Sequence, residues 1–170
     1  MKKDLAIIGG LFLVVVVLLV FGQGFSSASF VGLKPAGQVS SQNKGQTSVA
    51  IGSLNVNVKV VISASERKKG LSGDDSLPIN SGMLFVFDKS AKWGIWMKNM
   101  KFPIDIIWID DSPAGEKRIV DIAANALPES GKKDAELTVY RPQTDSKYIL
   151  EINAGLANLN NLKVGDAVNF

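Results

Sequence analysis

From Leu54 onward the chain alternates: Leu54, Val56, Val58, Val60 and Ile62 stand between Asn55, Asn57, Lys59, Val61 and Ser63. A period of two puts the first set on one side of an extended strand, so the spacing predicts a strand with one buried face. The period then changes. Ser63-Ala64-Ser65-Glu66 has the form of a capping box, in which the Ser63 hydroxyl accepts from the backbone three residues on and Glu66 reaches back. This predicts a short helix to about Lys69, stopped at Gly70, which tolerates the positive φ that follows a last turn. Leu71 then returns to the core. After a polar loop over 72–81, residues 83–87 form an apolar run long enough only for a buried strand. Asp88-Lys89-Ser90 reads as a turn and residues 93–97 as another strand. Residues 104–109 and 118–123 flank Asp110-Asp111-Ser112-Pro113-Ala114-Gly115, which has the composition of a hairpin turn. Residues 137–140 suggest a short strand, 148–152 a clear one, 156–162 one or two helical turns, and 164–170 a closing strand. Many short strands with no βαβ rhythm predict a mainly β fold: a small antiparallel sandwich or jelly-roll-like, partly open barrel with one short helix packed across it.

The N-terminal part follows a different pattern. Lys2, Lys3 and Asp4 precede an apolar run over residues 5–21, and no charge appears again until Lys34. The run lies between the length of a secretory signal core and that of a full membrane span. The reading preferred is a transmembrane anchor over 1–25, then a flexible Gly/Ser/Gln-rich linker over 26–50 and a folded domain over 51–170. Positive charge ahead of the run keeps the N-terminus cytoplasmic and places the domain outside the cell membrane. The alternative is cleavage near Ser26-Ser27-Ala28-Ser29, which leaves a secreted or periplasmic protein.

Composition excludes several chemistries. The chain has no Cys and no His, so the domain holds itself together without disulfides, as a monomer on its apolar core. Ser-His-Asp and Cys-His nucleophilic sites, and zinc sites built on His or Cys, are also excluded. No cofactor or metal is expected. The net charge is +3, its signs are interspersed, and no basic stripe suggests nucleic acid.

The segment from Gly94 to Asp105 concentrates the candidate chemistry. Trp96 and Met97 point to opposite faces of a regular strand, so one belongs to the core and the other lines a groove. Trp is a platform for sugar rings or cations. Lys98 and Asn99, where this strand meets the Pro103 loop, can orient a polar ligand, or Asn99 can serve the turn alone. Arg67 can grip an anion in a bidentate fork or pair with Asp105 or Glu151. Asp105 and Glu151 are the carboxylates with the most apolar neighbours. They are either ion-pair partners or, if held about 5–9.5 Å apart, a candidate acid–base pair for glycoside hydrolysis.

In chain order, Glu66-Arg67, Gly70-Leu71, Leu77-Pro78, Gly82-Met83-Leu84-Phe85-Val86-Phe87, Trp96-Met97-Lys98-Asn99, Pro103-Ile104-Asp105, Tyr148-Ile149-Leu150-Glu151, Gly155 and Gly165-Asp166 resemble the family catalogued as domain of unknown function 192. The resemblance runs from about Val56 to Phe170. It implies a small, β-rich, jelly-roll-like domain, often behind a signal or anchor, and no known reaction. Members tend to carry Met and a basic residue where this chain has Ser72 and Asp74, and Thr where it has Met100.

Three functions fit these residues. The first is a membrane-tethered binding module that uses Arg67, Trp96, Met97, Lys98, Asn99, Asp105 and Glu151 around a groove for a polar or glycan-like envelope ligand or a partner's peptide. The second is a hydrolase acting through Asp105 and Glu151, which lacks a third residue to position substrate or stabilise a transition state. The third is a purely structural domain.

Overall fold

The computed structural model describes residues 46–170. The anchor or signal segment and most of the linker expected from sequence lie outside the described residues. Among the described residues no helix is long and apolar enough to cross a membrane.

Among the described residues, nine strands and two short α-helices build the fold. In chain order they are β1 (Gln46–Ile51), β2 (Leu54–Val61), α1 (Ala64–Lys69), β3 (Ser81–Ala91), β4 (Ile95–Trp96), β5 (Ile104–Asp111), β6 (Lys117–Ala126), β7 (Val139–Tyr140), β8 (Ser146–Asn153), α2 (Leu156–Leu159) and β9 (Ala167–Val168). A single 3-10 turn, Asp134–Glu136, precedes β7. Seven strands form one sheet in the order β1-β2-β3-β8-β5-β6-β9. Its two edges meet where Ala50 and Asn169 exchange a pair of 2.9 Å backbone hydrogen bonds. The sheet is therefore a nearly closed barrel, which satisfies edge groups that an open sheet would leave unpaired. β4 and β7 pair as a small separate ribbon.

The predicted local structure holds where the signals are local. β2 buries alternate residues from Leu54 to Val58; at its end Val61, expected on the polar face, is buried in a second apolar layer, and Ile62, expected in the buried set, is 60% exposed. Helix α1 has both halves of its capping box: Glu66 N–H donates to Ser63 Oγ at 3.3 Å, and Ser63 N–H donates to the Glu66 carboxylate at 3.2 Å. The Ser63 hydroxyl, donating to the Glu66 carboxylate at 2.6 Å, and then the Ser63 N–H hold that carboxyl below its ordinary pKa. The helix stops at Gly70, whose φ of 52° with extended ψ suits a residue without Cβ.

Four expectations are corrected. β1 occupies residues 46–51, most of which the composition reading assigned to the linker. β2 and β3 pair in parallel, not antiparallel. Parallel neighbours need a crossover of a dozen or more residues, and residues 62–80, carrying α1, supply it. Asp88-Lys89-Ser90 is not a turn but part of β3, which bulges between Val86, opposite Tyr148, and Ala91, opposite Ser146. Only Ile95–Trp96 of the predicted 93–97 strand is extended and paired.

The apolar residues fall into two layers. All seven strands contribute to the barrel interior, which includes Val49, Val56, Val58, Leu84, Ile107, Ile109, Ile119, Leu150, Ile152 and Val168. The second layer lies on the outside of β3, β8, β5 and β6. There Met83, Phe85, Ile104, Ile106, Trp108 and Ile149 pack with Leu71, Met97 and Met100. Central strands thus bury both faces, as the unbroken burial of β5 from Ile104 to Ile109 records. Gly82 is required where β2, β3 and β8 meet, because a Cβ there would stand 2.7 Å from the Glu151 carbonyl oxygen.

Asp105 sits on the inward face of β5 with no exposure. Its two carboxylate oxygens accept from the backbone N–H groups of Asn125 and Ala157, each at 2.8 Å. One side chain thereby fixes the end of β6, where Asn125 takes a φ of 55°, to the first turn of α2. Asp105→Ala strands both amides and should destabilise the domain by about 3–5 kcal/mol, measured as the shift in denaturant unfolding. A loss below about 1 kcal/mol would show that water replaces the carboxylate.

Candidate functional site

A cavity of about 250 Å³ opens on the outer layer, between α1, the β3 face and the 93–100 segment. Phe85, Phe87, Trp93, Trp96, Met100 and Ile104 wall it, and Glu151 contributes the one acid among its lining residues. Each wall residue is held by a separate device. Phe87, on the same outer face of β3 as Met83 and Phe85, stacks on Trp93 with ring centroids 4.3 Å apart and 11° between planes. Trp93 donates its indole N–H to the Lys89 carbonyl, and its own carbonyl accepts from Trp108. Trp96 lies on β4 opposite Val139 and remains 40% exposed.

Glu151 is the chemically distinctive group. It points outward from β8, with Met83 and Ile106 as its cross-strand neighbours, and is only 5% exposed. Among the described residues its carboxyl has neither an ion pair nor a side-chain hydrogen bond, and burial alone shifts its proton affinity. Burial among apolar groups disfavours the carboxylate and pushes the Glu151 pKa up to about 8. At neutral pH it is therefore a protonated acid, able both to donate and to accept.

The structure divides the candidates named from sequence. Arg67, Trp96 and Glu151 line the cavity together. Met97 does not: it is fully buried in the outer layer, and Trp96 is the groove residue of that pair. Lys98 turns away to an ion pair with Asp134, its ammonium 5.9 Å from the Trp96 ring centre. Asn99 serves the turn. It has a φ of 56°, which Asn tolerates, and its carbonyl accepts from Gly73 N–H at 3.0 Å.

The expected pairing of Arg67 with Asp105 or Glu151 is overturned. The guanidinium donates to the carbonyls of Ile62 and Val86 and lies over the Phe87 ring, 4.7 Å from its centre. Ile62 opens the crossover just after β2 and Val86 belongs to β3, so the bond to Val86 ties the crossover to the sheet. The hydrolytic pair is overturned as well. Asp105 faces Ile152 and Glu151 faces Ile106 in the same ladder, so alternation sends one carboxyl into the barrel and the other outward. They cannot flank one bond.

Lys68, Lys69, Ser72, Phe85, Phe87, Trp93 and Met100 also line the cavity and were not singled out as site residues from sequence. In sequence, Ser72 and Met100 stand out only as departures from the family pattern. Ser72 Oγ donates to the Lys98 carbonyl at 2.7 Å, and Met100 is buried. The Lys68-Lys69 pair was the available signal, but nothing local shows that α1 lies over an acid on β8.

The model of the family DUF192, described as "Uncharacterized ACR", matches residues 47–170. The chain belongs to that family. Two solved structures resemble it. A protein of unknown function from Novosphingobium aromaticivorans is 28% identical, over 74% of this chain and 85% of that one, with a TM-score of 0.62. A protein described as a putative transcription regulator from Sinorhizobium meliloti is 25% identical, over 73% and 92%, with a TM-score of 0.63. No curated protein matches. The DUF192 match covers the barrel and both sides of the cavity alike.

Because the Glu151 pKa lies above the ordinary 4.5, the folded state keeps a proton that the unfolded chain releases. Stability should therefore fall as pH rises from about 4.5 to about 8 and level off above that. The loss from this group is on the order of 5 kcal/mol. Glu151→Gln should flatten that part of the profile in denaturant titrations across the range and exceed the wild type in stability at about pH 9. Parallel profiles for the two proteins would show that the acid is already ionised at neutral pH.

Proposed function

We propose that this DUF192 domain is a binding module whose cavity over Glu151 receives a small polar ligand. The observation that supports it is a buried carboxyl without a partner among the described residues, opening into an aromatic-walled cavity. Buried polar groups are normally satisfied, and one left facing a cavity is available to a guest. An aromatic wall beside a hydrogen-bonding floor suits a ring with apolar faces and polar edges, as in a sugar. With Asp105 on the other side of the sheet, the cavity offers, among the described residues, a single carboxyl and no second one to complete an acid–base pair. That favours holding a ligand over cleaving one.

The test is a thermal-shift screen of the full-length protein against neutral and charged monosaccharides, amino acids and short peptides. At least one class should raise the midpoint in a saturable way, and Trp96→Ala should abolish the rise while leaving the unliganded midpoint within a few degrees. Trp96 is 40% exposed, so its removal leaves the core packed. No saturable shift from any class would reject the reading.

We further propose that the apolar run over residues 5–21, behind Lys2 and Lys3, tethers the module to the cell membrane with the domain outside. Mass spectrometry of the membrane fraction should find the intact N-terminus. A mature chain that begins near Ser29 or Phe30 would show a cleaved signal.

A further inference from the structure

The cavity has charge at one end and hydrogen-bonding capacity at the other. Its lining residues include three cations, Arg67, Lys68 and Lys69, all from α1, and one acid, Glu151. Arg67 is engaged by the Ile62 and Val86 carbonyls. Lys68 and Lys69 are exposed and, among the described residues, make no ion pair or side-chain hydrogen bond. The lining residues from β3, β5 and the 93–100 segment are Phe85, Phe87, Ile104, Trp93, Gly94, Ile95, Trp96 and Met100, and the cross-strand neighbours of Glu151 are Met83 and Ile106, none of them charged.

We propose that the ligand is an acidic sugar of about one ring, its carboxylate held by Lys68 and Lys69 at the mouth and a hydroxyl bonded to the Glu151 carboxyl at the floor. The inference rests on the binding reading above and adds the ligand's class. Three cations at the entrance attract an anion and oppose an ammonium group that must pass them. A hydroxyl matches a protonated carboxyl without burying a charge, whereas an ammonium there would require two desolvated ions. Trp96, partly exposed beside the floor, offers its π-face to the C–H groups of the ring. The volume of about 250 Å³ lies just below the roughly 300–1,000 Å³ of drug-sized sites, which leaves room for one ring and not for a chain.

The test titrates the full-length protein, in mild detergent, with glucuronate, glucose and glucosamine, read by tryptophan fluorescence. At about pH 6.5 glucuronate should bind at least about tenfold more tightly than glucose, with glucosamine weakest. Lys68→Gln combined with Lys69→Gln should bring glucuronate to within about threefold of glucose. At about pH 9.5 glucuronate binding to the wild type should weaken, because the ionised Glu151 no longer donates and repels the acid. Glu151→Gln, which stays neutral, should show no such loss. Equal affinity for glucose and glucuronate, or tightest binding of glucosamine, would overturn the acidic-sugar assignment and leave the cavity a binding site. Silence from all three sugars overturns the assignment alone if the broader screen finds another ligand class. It overturns the binding reading as well if that screen is also empty.

Discussion

Strands β3, β8 and β5 are buried on both faces, and most of the fold follows from covering the outer one. A barrel of seven strands needs only its interior filled, and here all seven contribute to that interior. The outer faces of β3, β8 and β5 nevertheless carry Met83, Phe85, Ile149, Ile104, Ile106 and Trp108. Left in water, such a surface would be a large apolar patch. The crossover after β2 and the irregular segment after β3 lie across it, bringing Leu71, Met97 and Met100 into contact. Arg67 and Trp93 secure these two covers through backbone carbonyls and the Phe87 ring. The cavity lies where the two covers meet without closing.

The two buried carboxyls show how one ladder step separates chemical fates. Asp105 and Glu151 sit one residue out of register on neighbouring strands, and the pleat sends them to opposite sides of the sheet. Asp105 meets two backbone amides and becomes a structural clasp. Glu151 meets only apolar neighbours and the cavity, and its proton affinity rises for that reason alone. Among the described residues neither is paired with a cation. Composition could not separate them, since both are flanked by Ile or Leu in sequence.

The family assignment and the cavity bear on each other. The DUF192 match runs over residues 47–170, and several of its motif residues are explained by packing. Gly82 permits β2, β3 and β8 to approach, Met97 fills the outer layer, and Asn99 makes a turn. Others border the cavity, among them Arg67, Gly70, Leu71, Phe85, Phe87, Trp96 and Glu151. Ser72 and Met100, where this chain departs from the common pattern, border it too. Those two departures therefore alter the wall of the cavity rather than the barrel, whereas Asp74, the third, does not line it.

The sequence by itself determined whatever a few neighbouring residues can enforce. The alternation through β2, the capping box at Ser63 and Glu66, the stop at Gly70 and the opposed directions of Trp96 and Met97 are set within one or two turns of chain. The lack of His and Cys settled the excluded chemistries without any structure. Tertiary structure decided what depends on partners distant in sequence. The parallel pairing of β2 with β3, the bulge that carries β3 past residues 88–90, and the closure of Ala50 on Asn169 are contacts between remote segments. The same holds for Arg67, whose cationic head found carbonyls instead of carboxylates because the crossover sets α1 over the end of β2 and the middle of β3. A charged side chain shows in sequence that it needs a partner; only the strand order shows which groups come within reach.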